Sequence, residues 1–403
     1  MQKNTQNLYE PTLYEIFKVF LMLGFTSFGG PIAHLGFFNK ELVVNRKWID
    51  SRLFSELIAL CQFLPGPSSS QVGLSIGFIK KGISGAFVAW LGFTSPSAII
   101  IILFGYGYVA YEQYIPFGVI HGLKIFAVSV VAHAIWTMGN SFCKDYKSII
   151  IAILSAIIII IWPTPLNQFL VILISGIISM FVLSASNKNH KKLSEFLIST
   201  KYALLILISF FVILLSLPAL SSVFNNPVLN LIDSFFRTGS LVFGGGHVVL
   251  PLLQADVVSS GLVSNEKFLA GYGLAQAMPG PLFTFAAYLG TVSSQDPNGF
   301  LGGLIALVAI FLPSFLLIIG ILPFWSRIRD IVIIKKAIIG INACVVGVLI
   351  AAFYSPVFTS GILSLHDFIL ALILFCILKF TKFPIWGLVI LGSLECGFYY
   401  LFF

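Results

Sequence analysis

The chain is divided into many apolar stretches of about 20 residues, the length that spans a hydrocarbon core of roughly 30 Å. With 58% apolar and only 9% charged residues, a water-soluble fold has no way to hide its hydrophobic surface. In a bilayer the backbone must satisfy its own polar groups, which leaves helices or closed barrels. Continuous runs such as Ile157 to Ile161, without strict alternation, specify helices. The expected fold is all-α, a polytopic transmembrane bundle.

The net charge of +8 does not point to nucleic acid, because the basic residues sit in short connections between apolar segments, as the positive-inside rule requires. Cys61, Cys143, Cys344, Cys376 and Cys396 show neither CxxC spacing nor a disulfide framework, so they read as small apolar fillers. No metal or other cofactor is implied. The first apolar segment lacks a basic leader directly before it, which argues against a cleaved signal peptide.

The chain repeats itself at about 215 residues. Gly24-Phe25-Thr26-Ser27-Phe28-Gly29-Gly30 matches Gly239-Ser240-Leu241-Val242-Phe243-Gly244-Gly245, and Gln62-Phe63-Leu64-Pro65-Gly66-Pro67 matches Gln276-Ala277-Met278-Pro279-Gly280-Pro281. Weaker echoes follow in order: Gly85 with Gly302, Pro96-Ser97 with Pro313-Ser314, Gly122 with Gly340. The organisation is a first repeat over 1–185, a polar linker plus an extra apolar helix over 186–227, and a second repeat over 228–403.

Equivalent connections carry opposite charge. Lys40, Arg46, Lys47, Arg52, Lys80 and Lys81 flank the first PGP segment, whereas Asp256, Glu266 and Asp296 outnumber Lys267 around the second. The next connection holds Glu112 in one half and Arg327, Arg329, Lys335 and Lys336 in the other; the one after holds Lys144 and Lys147 against His366 and Asp367. The repeats are therefore expected to be inverted. The topology that fits these charges makes 13–39, 53–79, 228–253 and 267–292 re-entrant hairpins, the first two open to the cytoplasm and the last two to the outside. Nine spans remain, near 83–104, 119–139, 149–162, 168–185, 202–220, 301–324, 337–355, 368–378 and 384–401. A variant lets the FGG segments cross and 202–220 not.

Glycine and proline inside membrane segments free backbone amides, tolerable at depth only where broken backbone is buried in protein or lines a wet cavity. Breaks in paired positions of two repeats point to a transporter's binding site. Here they are Gly29-Gly30, Pro65-Gly66-Pro67, Gly244-Gly245-Gly246 and Pro279-Gly280-Pro281, with Pro31, Pro67 and Pro281 expected as first residues of returning half-helices and His247 following the glycine triplet. Four helix N-termini, each worth about half a positive charge, suit a dianion. Ser27, Ser68, Gln62, Gln276 and His247 stand beside the breaks as further donors, with Thr26, Ser69, Ser70, Gln71 and Thr284 near them. Against this stands the plainer reading that the glycines and prolines serve close packing and kinks, and that any single hydroxyl bonds back to its own helix. Arg237 either binds the anion or pairs with Asp233; Lys124 is expected to snorkel; His34 and His247 flank breaks and read as packed histidines or as proton carriers, His247 being the better functional candidate, and Glu395 as a proton carrier or half of a buried pair.

Phe28-Gly29-Gly30-Pro31-Ile32-Ala33-His34, Phe243 to Leu253, Gln276 to Gly290, and the run from Lys47-Trp48 through Pro65-Gly66-Pro67 to Gln71 together resemble the chromate ion transporter family in its long, two-domain form. The resemblance implies an oxyanion substrate, chromate or sulfate, a cell membrane location and contact with lipid, and leaves a homodimer open. It implies no catalytic residue. The alternatives are an enzyme, a lipid-phosphate flippase or another anion carrier of the same architecture, and a channel subunit or scaffold. No HExxH, nucleophile elbow or carboxylate pair on one helix supports the enzyme.

Overall fold

The structure, a computed structural model, describes residues 9–184, 199–243, 246–328, 331–381 and 383–402. These residues form an all-α bundle, and among them there is no strand. In the first half, α1 (Leu13–Thr26) and α2 (Gly30–Phe38, widening into a π turn to Asn45) flank the first break; α3 (Ser51–Phe63) and α4 (Ser68–Tyr111) flank the second. Then come α5 (Phe117–Phe142), α6 (Tyr146–Ile161) and α7 (Pro165–Val182). The extra helix is α8 (Thr200–Phe224). The second half repeats the series as α9 (Pro227–Leu241), α10 (Val249–Leu253, between turns that start at Gly246 and end at Val258), α11 (Asn265–Ala277) and α12 (Phe285–Thr291). It continues through α13 (Gly299–Ile321), the short α14 (Trp325–Ile328), α15 (Val332–Ala352), the short α16 (Thr359–Gly361), α17 (Leu365–Phe380) and α18 (Ile385–Phe402).

Local chemistry sets the boundaries. Thr12 and Glu15 form a reciprocal capping box at α1, Asp145 and Ser148 another at α6, Ser364 and Asp367 a third at α17. Asp50 caps α3 and Ser264 caps α11, at equivalent places in the two halves. The expected join between the second hairpin and the first span is a bend in α4: Lys81 leaves helical geometry and Gly82 takes φ +61°. Seven described helices are long and apolar enough to cross a membrane. α6 and α17, with 16 residues each, rise only about 24 Å. The 25-residue α8 is among the seven, whereas α1 and α9 have 14 and 15 residues.

Apolar exposure follows the bilayer assignment. Leu204, Leu205, Ile208, Phe211, Val212 and Leu215 of α8 are all exposed, and the same holds for the outer faces of α6, α7, α17 and α18. α5 is the opposite, sealed from Ile120 to Val131. The halves are interlaced: α6 and α7 pack on α15, whereas their counterparts α17 and α18 pack on α5. Small residues permit these contacts; Gly347 lies against the Ala152 carbonyl, and Gly122 against Gly392 and Ser393.

The long second stretch of α4 and its counterpart α13 run antiparallel. Trp90 meets Phe311 and Phe315, while 16 residues further along Tyr106 accepts a hydrogen bond from the Phe300 N–H at 2.6 Å. Phe300 is the counterpart of Ile83, so equivalent positions of the two repeats lie about 35 Å apart along one helix.

Candidate functional site at the four helix breaks

Each expected break falls between two helices, and described residues at all four breaks meet. The Gly66 N–H donates to the Val242 carbonyl at 2.7 Å, and the Gly280 N–H donates to the Ser27 carbonyl at 2.9 Å. Since Gly66 corresponds to Gly280, and Ser27 to Val242, this is one bond made twice. Each PGP break is thereby tied to the FGG break of the other repeat. A methyl group on Gly246 would lie 3.6 Å from the Leu282 side chain and 3.9 Å from that of Pro31, which joins the remaining ends.

The glycines are demanded by geometry. Gly66 has φ +124° and Gly280 φ +89°, where side chains are strained. A Cβ on Gly66 would run into the Gln71 amide and come within 2.7 Å of Ser314 Oγ; one on Gly280 would come within 2.9 Å of Ser97 Oγ. Ser97 and Ser314 are themselves equivalents, so the close approach is also duplicated. Gln71 Nε2 bridges the Pro65 carbonyl at 2.6 Å and Ser314 Oγ at 3.3 Å. The Pro-Ser echo was the signal for these two serines, which reading the breaks alone had missed. In the first FGG break, consecutive left-handed glycines, Gly29 at +95° and Gly30 at +81°, turn the chain into α2.

Pro31 occupies the second position of α2, and Pro67 and Pro281 the cap residue just before their helices, one place either side of the position expected. Proline's fixed φ suits all three, and cap residues keep an extended ψ, 90° at Pro67 and 131° at Pro281. Gly244 and Gly245 lie outside the described residues, as does the side chain of His247.

Hydroxyls near the breaks divide into two groups. Thr26 and Thr284 bond back to the Met22 and Pro281 carbonyls, both at 2.8 Å. Ser27 Oγ and Ser70 Oγ are buried and have no hydrogen-bond partner, as is true of Gln71 Oε1. Buried orphans of this kind are uncommon. Ser68 is half-buried at the start of α4, Gln62 is exposed, and Gln276 is hydrogen-bonded to the buried Tyr272.

The intramembrane charges take partners. Arg237 Nη2 lies 3.0 Å from Asp256 Oδ1 and 3.3 Å from Asp233 Oδ2, so the pairing alternative is the one the structure displays, with a second carboxylate. Lys124 does not snorkel: it is buried, with Nζ 2.9 Å from Glu266 Oε1. His34 is packed, its Nδ1 3.1 Å from Ser69 Oγ and its ring edge-on to Phe93.

The two repeats differ in one respect. α11 is seated on α5, where Gly273 approaches the Leu123 carbonyl and Lys124–Glu266 and Lys267–Glu112, both 2.9 Å, clasp the contact. Its counterpart, α3, makes no comparable contact with α15 among the described residues. Gly29, Gly36, Phe37, Ala59 and Gln62 are correspondingly exposed, while Val248 to Leu253 are buried throughout.

Comparison with known proteins places this architecture. The chain matches the family of chromate transporters over residues 14–181 and again over 229–398. It is 28% identical to an uncharacterized transporter of Methanocaldococcus jannaschii, covering 85% of this chain and 83% of that one. It is 27% identical to the chromate transport protein of Pseudomonas aeruginosa (86% and 81% covered) and 26% identical to that of Cupriavidus metallidurans (85% and 82%). No solved structure matches it. With the motif matched twice and the apolar helices to hold it in a bilayer, this chain is a multi-pass integral membrane protein that belongs to the chromate transporter family.

Proposed function

We propose that the chain moves a tetrahedral oxyanion, chromate outward with sulfate as its chemical analogue, by alternating access at the point where the four breaks meet. The observation that carries this reading is the duplicated bond, Gly66 to Val242 and Gly280 to Ser27, which brings helix ends from both repeats to one place. Helix N-termini favour negative charge, and the unpartnered Ser27 and Ser70 hydroxyls are donors held in reserve there. In this reading the binding residues are Ser27, Gly29, Gly30, Pro31, Gln62, Pro65, Gly66, Pro67 and Ser68 with Gly244, Gly245, Gly246, His247, Gln276, Pro279, Gly280 and Pro281. Arg237, paired with Asp233 and Asp256, acts as a structural cation beside the site.

The antiparallel course of α4 and α13, together with the opposite loop charges, supports inverted repeats over 1–185 and 228–403 joined through α8. The four broken segments are then re-entrant. The basic ends of the first repeat face the cytoplasm. The seating of α11 on α5, without a comparable contact of α3 on α15, supports reading this as an inward-facing state, closed outside by Lys124–Glu266 and Lys267–Glu112. Swapping which repeat is clasped would open the other side. With the interior negative, moving a dianion outward gains about 4.6 kcal/mol per 100 mV, twice the single-charge value.

Purified protein in liposomes tests the reading. Saturable chromate flux, competed by sulfate, supports it. Lipid scrambling without anion flux overturns it in favour of a flippase, and unitary conductance overturns alternating access.

A further inference from the structure

Away from the breaks, four titratable side chains form a file that the anion site does not use. His121 of α5 has no exposed surface, and its Nε2 lies 3.0 Å from Oδ2 of Asp367, equally buried at the start of α17. The same Oδ2 accepts the Leu363 and Ser364 N–H groups at 2.9 and 3.0 Å. Asp367 Oδ1 has no hydrogen-bond partner, and neither has His121 Nδ1. His366 Nδ1 stands 3.7 Å from Asp367 Oδ1, and His366 Nε2 bonds Glu395 Oε1 at 2.8 Å. The His366 ring is held flat against Tyr399 at 3.7 Å. Carboxylate and imidazole thus alternate from the half-exposed Glu395 to the sealed His121.

The duplication supplies an internal control. The positions equivalent to His121, His366, Asp367 and Glu395 are Ile339, Lys147, Ser148 and Ser175, in the repeat whose helices make the same crossed packing. There Ser148 completes a capping box with Asp145 and nothing more. The fold therefore does not require this file of groups, and a buried carboxylate–imidazole pair is costly to keep.

We propose that the His121–Asp367 pair is a proton-binding site, filled from the outer side through Glu395 and His366, whose occupancy biases the seating of α11 on α5. This rests on reading that contact as the outer gate. A proton taken up by Glu395 passes to His366 Nε2, His366 releases its Nδ1 proton to Asp367 Oδ1, and the pair goes from one net negative charge to none. Lys124 stands one helical turn along α5 from His121 and carries the Glu266 contact. The unprotonated pair repels the Glu266 carboxylate as it approaches; the protonated pair does not, so acid outside favours closure. The other groups around the pair are Cys396, Tyr399 and Tyr400 of α18, with Lys267 and Glu112 beyond Lys124. Residues 337–361, which complete the packing on α5, contain no acidic, basic or histidine side chain.

The test labels a Gln276→Cys variant from outside with an impermeant maleimide, Cys143 and Cys376 having been replaced by serine. The thiolate is the reacting form, so each rate is divided by that of the same variant unfolded in denaturant at the same pH; the normalised labelling is expected to fall about tenfold from pH 8 to pH 5.5, the scale of one charge change a helical turn away at intermediate dielectric. The double variant His121→Ile/Asp367→Ser installs the residues of the other repeat, and its normalised labelling should not change with pH. A Lys124→Gln/Lys267→Gln variant separates the two ideas. If it opens the cysteine to label while the parent's normalised labelling shows no pH response, the gate stands and the proton site is overturned. If neither manipulation changes labelling, the gate reading itself falls. A pH response of the normalised labelling that survives in the double variant also overturns the proposal.

Discussion

Replacing Gly66 by alanine probes the meeting of the breaks directly. At φ +124° a residue with a side chain carries about 1–3 kcal/mol of backbone strain. Its Cβ would also displace the Gln71 amide from the Pro65 carbonyl, a 2.6 Å bond whose buried partners would then be orphaned for roughly another 1–3 kcal/mol. The sum, about 2–6 kcal/mol, corresponds at its lower end to a loss of about 30-fold. Chromate flux in liposomes, normalised to the protein inserted, should fall by at least that factor. The duplication predicts the same of Gly280→Ala, which meets Ser97 Oγ in place of Ser314 Oγ. Adding Ser314→Gly to the first variant, or Ser97→Gly to the second, frees space and not φ, so each should recover flux only in part. Gly36→Ala, with nothing near its Cβ, should transport as the parent does. Parental flux in Gly66→Ala would refute the proposed site.

Removing both clasp pairs with Lys124→Gln/Lys267→Gln should cost the closed state about 2 kcal/mol, ~1 for each pair with a half-exposed partner, and raise external labelling at position 276 roughly 30-fold. The swap Lys124→Glu/Glu266→Lys should restore most of the closure. Arg237→Met, which installs the residue of the other repeat, strips Asp233 and Asp256 of their cation. It should lower the melting temperature in detergent through a loss of about 3 kcal/mol, and Asp256→Asn in the same chain should return part of it. Cysteines placed at Lys81 and Asp296, both exposed, should label from opposite faces of the membrane; labelling from one face would end the inverted topology.

The breaks were legible because glycine and proline act locally: their φ limits and missing N–H groups stop a helix wherever the chain runs. Gly29-Gly30, Gly66 and Gly280 were found for that reason, and the spans were found because lipid demands about 20 apolar residues. What escaped was long-range. Nothing near Lys124 announces Glu266, 142 residues away, and snorkelling was the reasonable local expectation. Arg237 had an obvious neighbour in Asp233, while Asp256 becomes one only after the chain reverses at the break. The His121–Asp367 pair spans 246 residues, and half of it looks from sequence like a helix cap. The asymmetry between α3 and α11 shows only in the packed helices. The clasp pairs themselves belong to one copy, since the first repeat has Arg52 and Leu53 where the second has Glu266 and Lys267.

The crossed packing of the two halves bears on how the protein is made. α5, sealed from Ile120 to Val131, gets its cover from α17 and α18, the last elements described. On a ribosome, the first repeat must therefore wait in the bilayer with that flank bare until some 240 further residues have been synthesised. A nascent chain stopped before Leu365 would offer the flank to any passing helix.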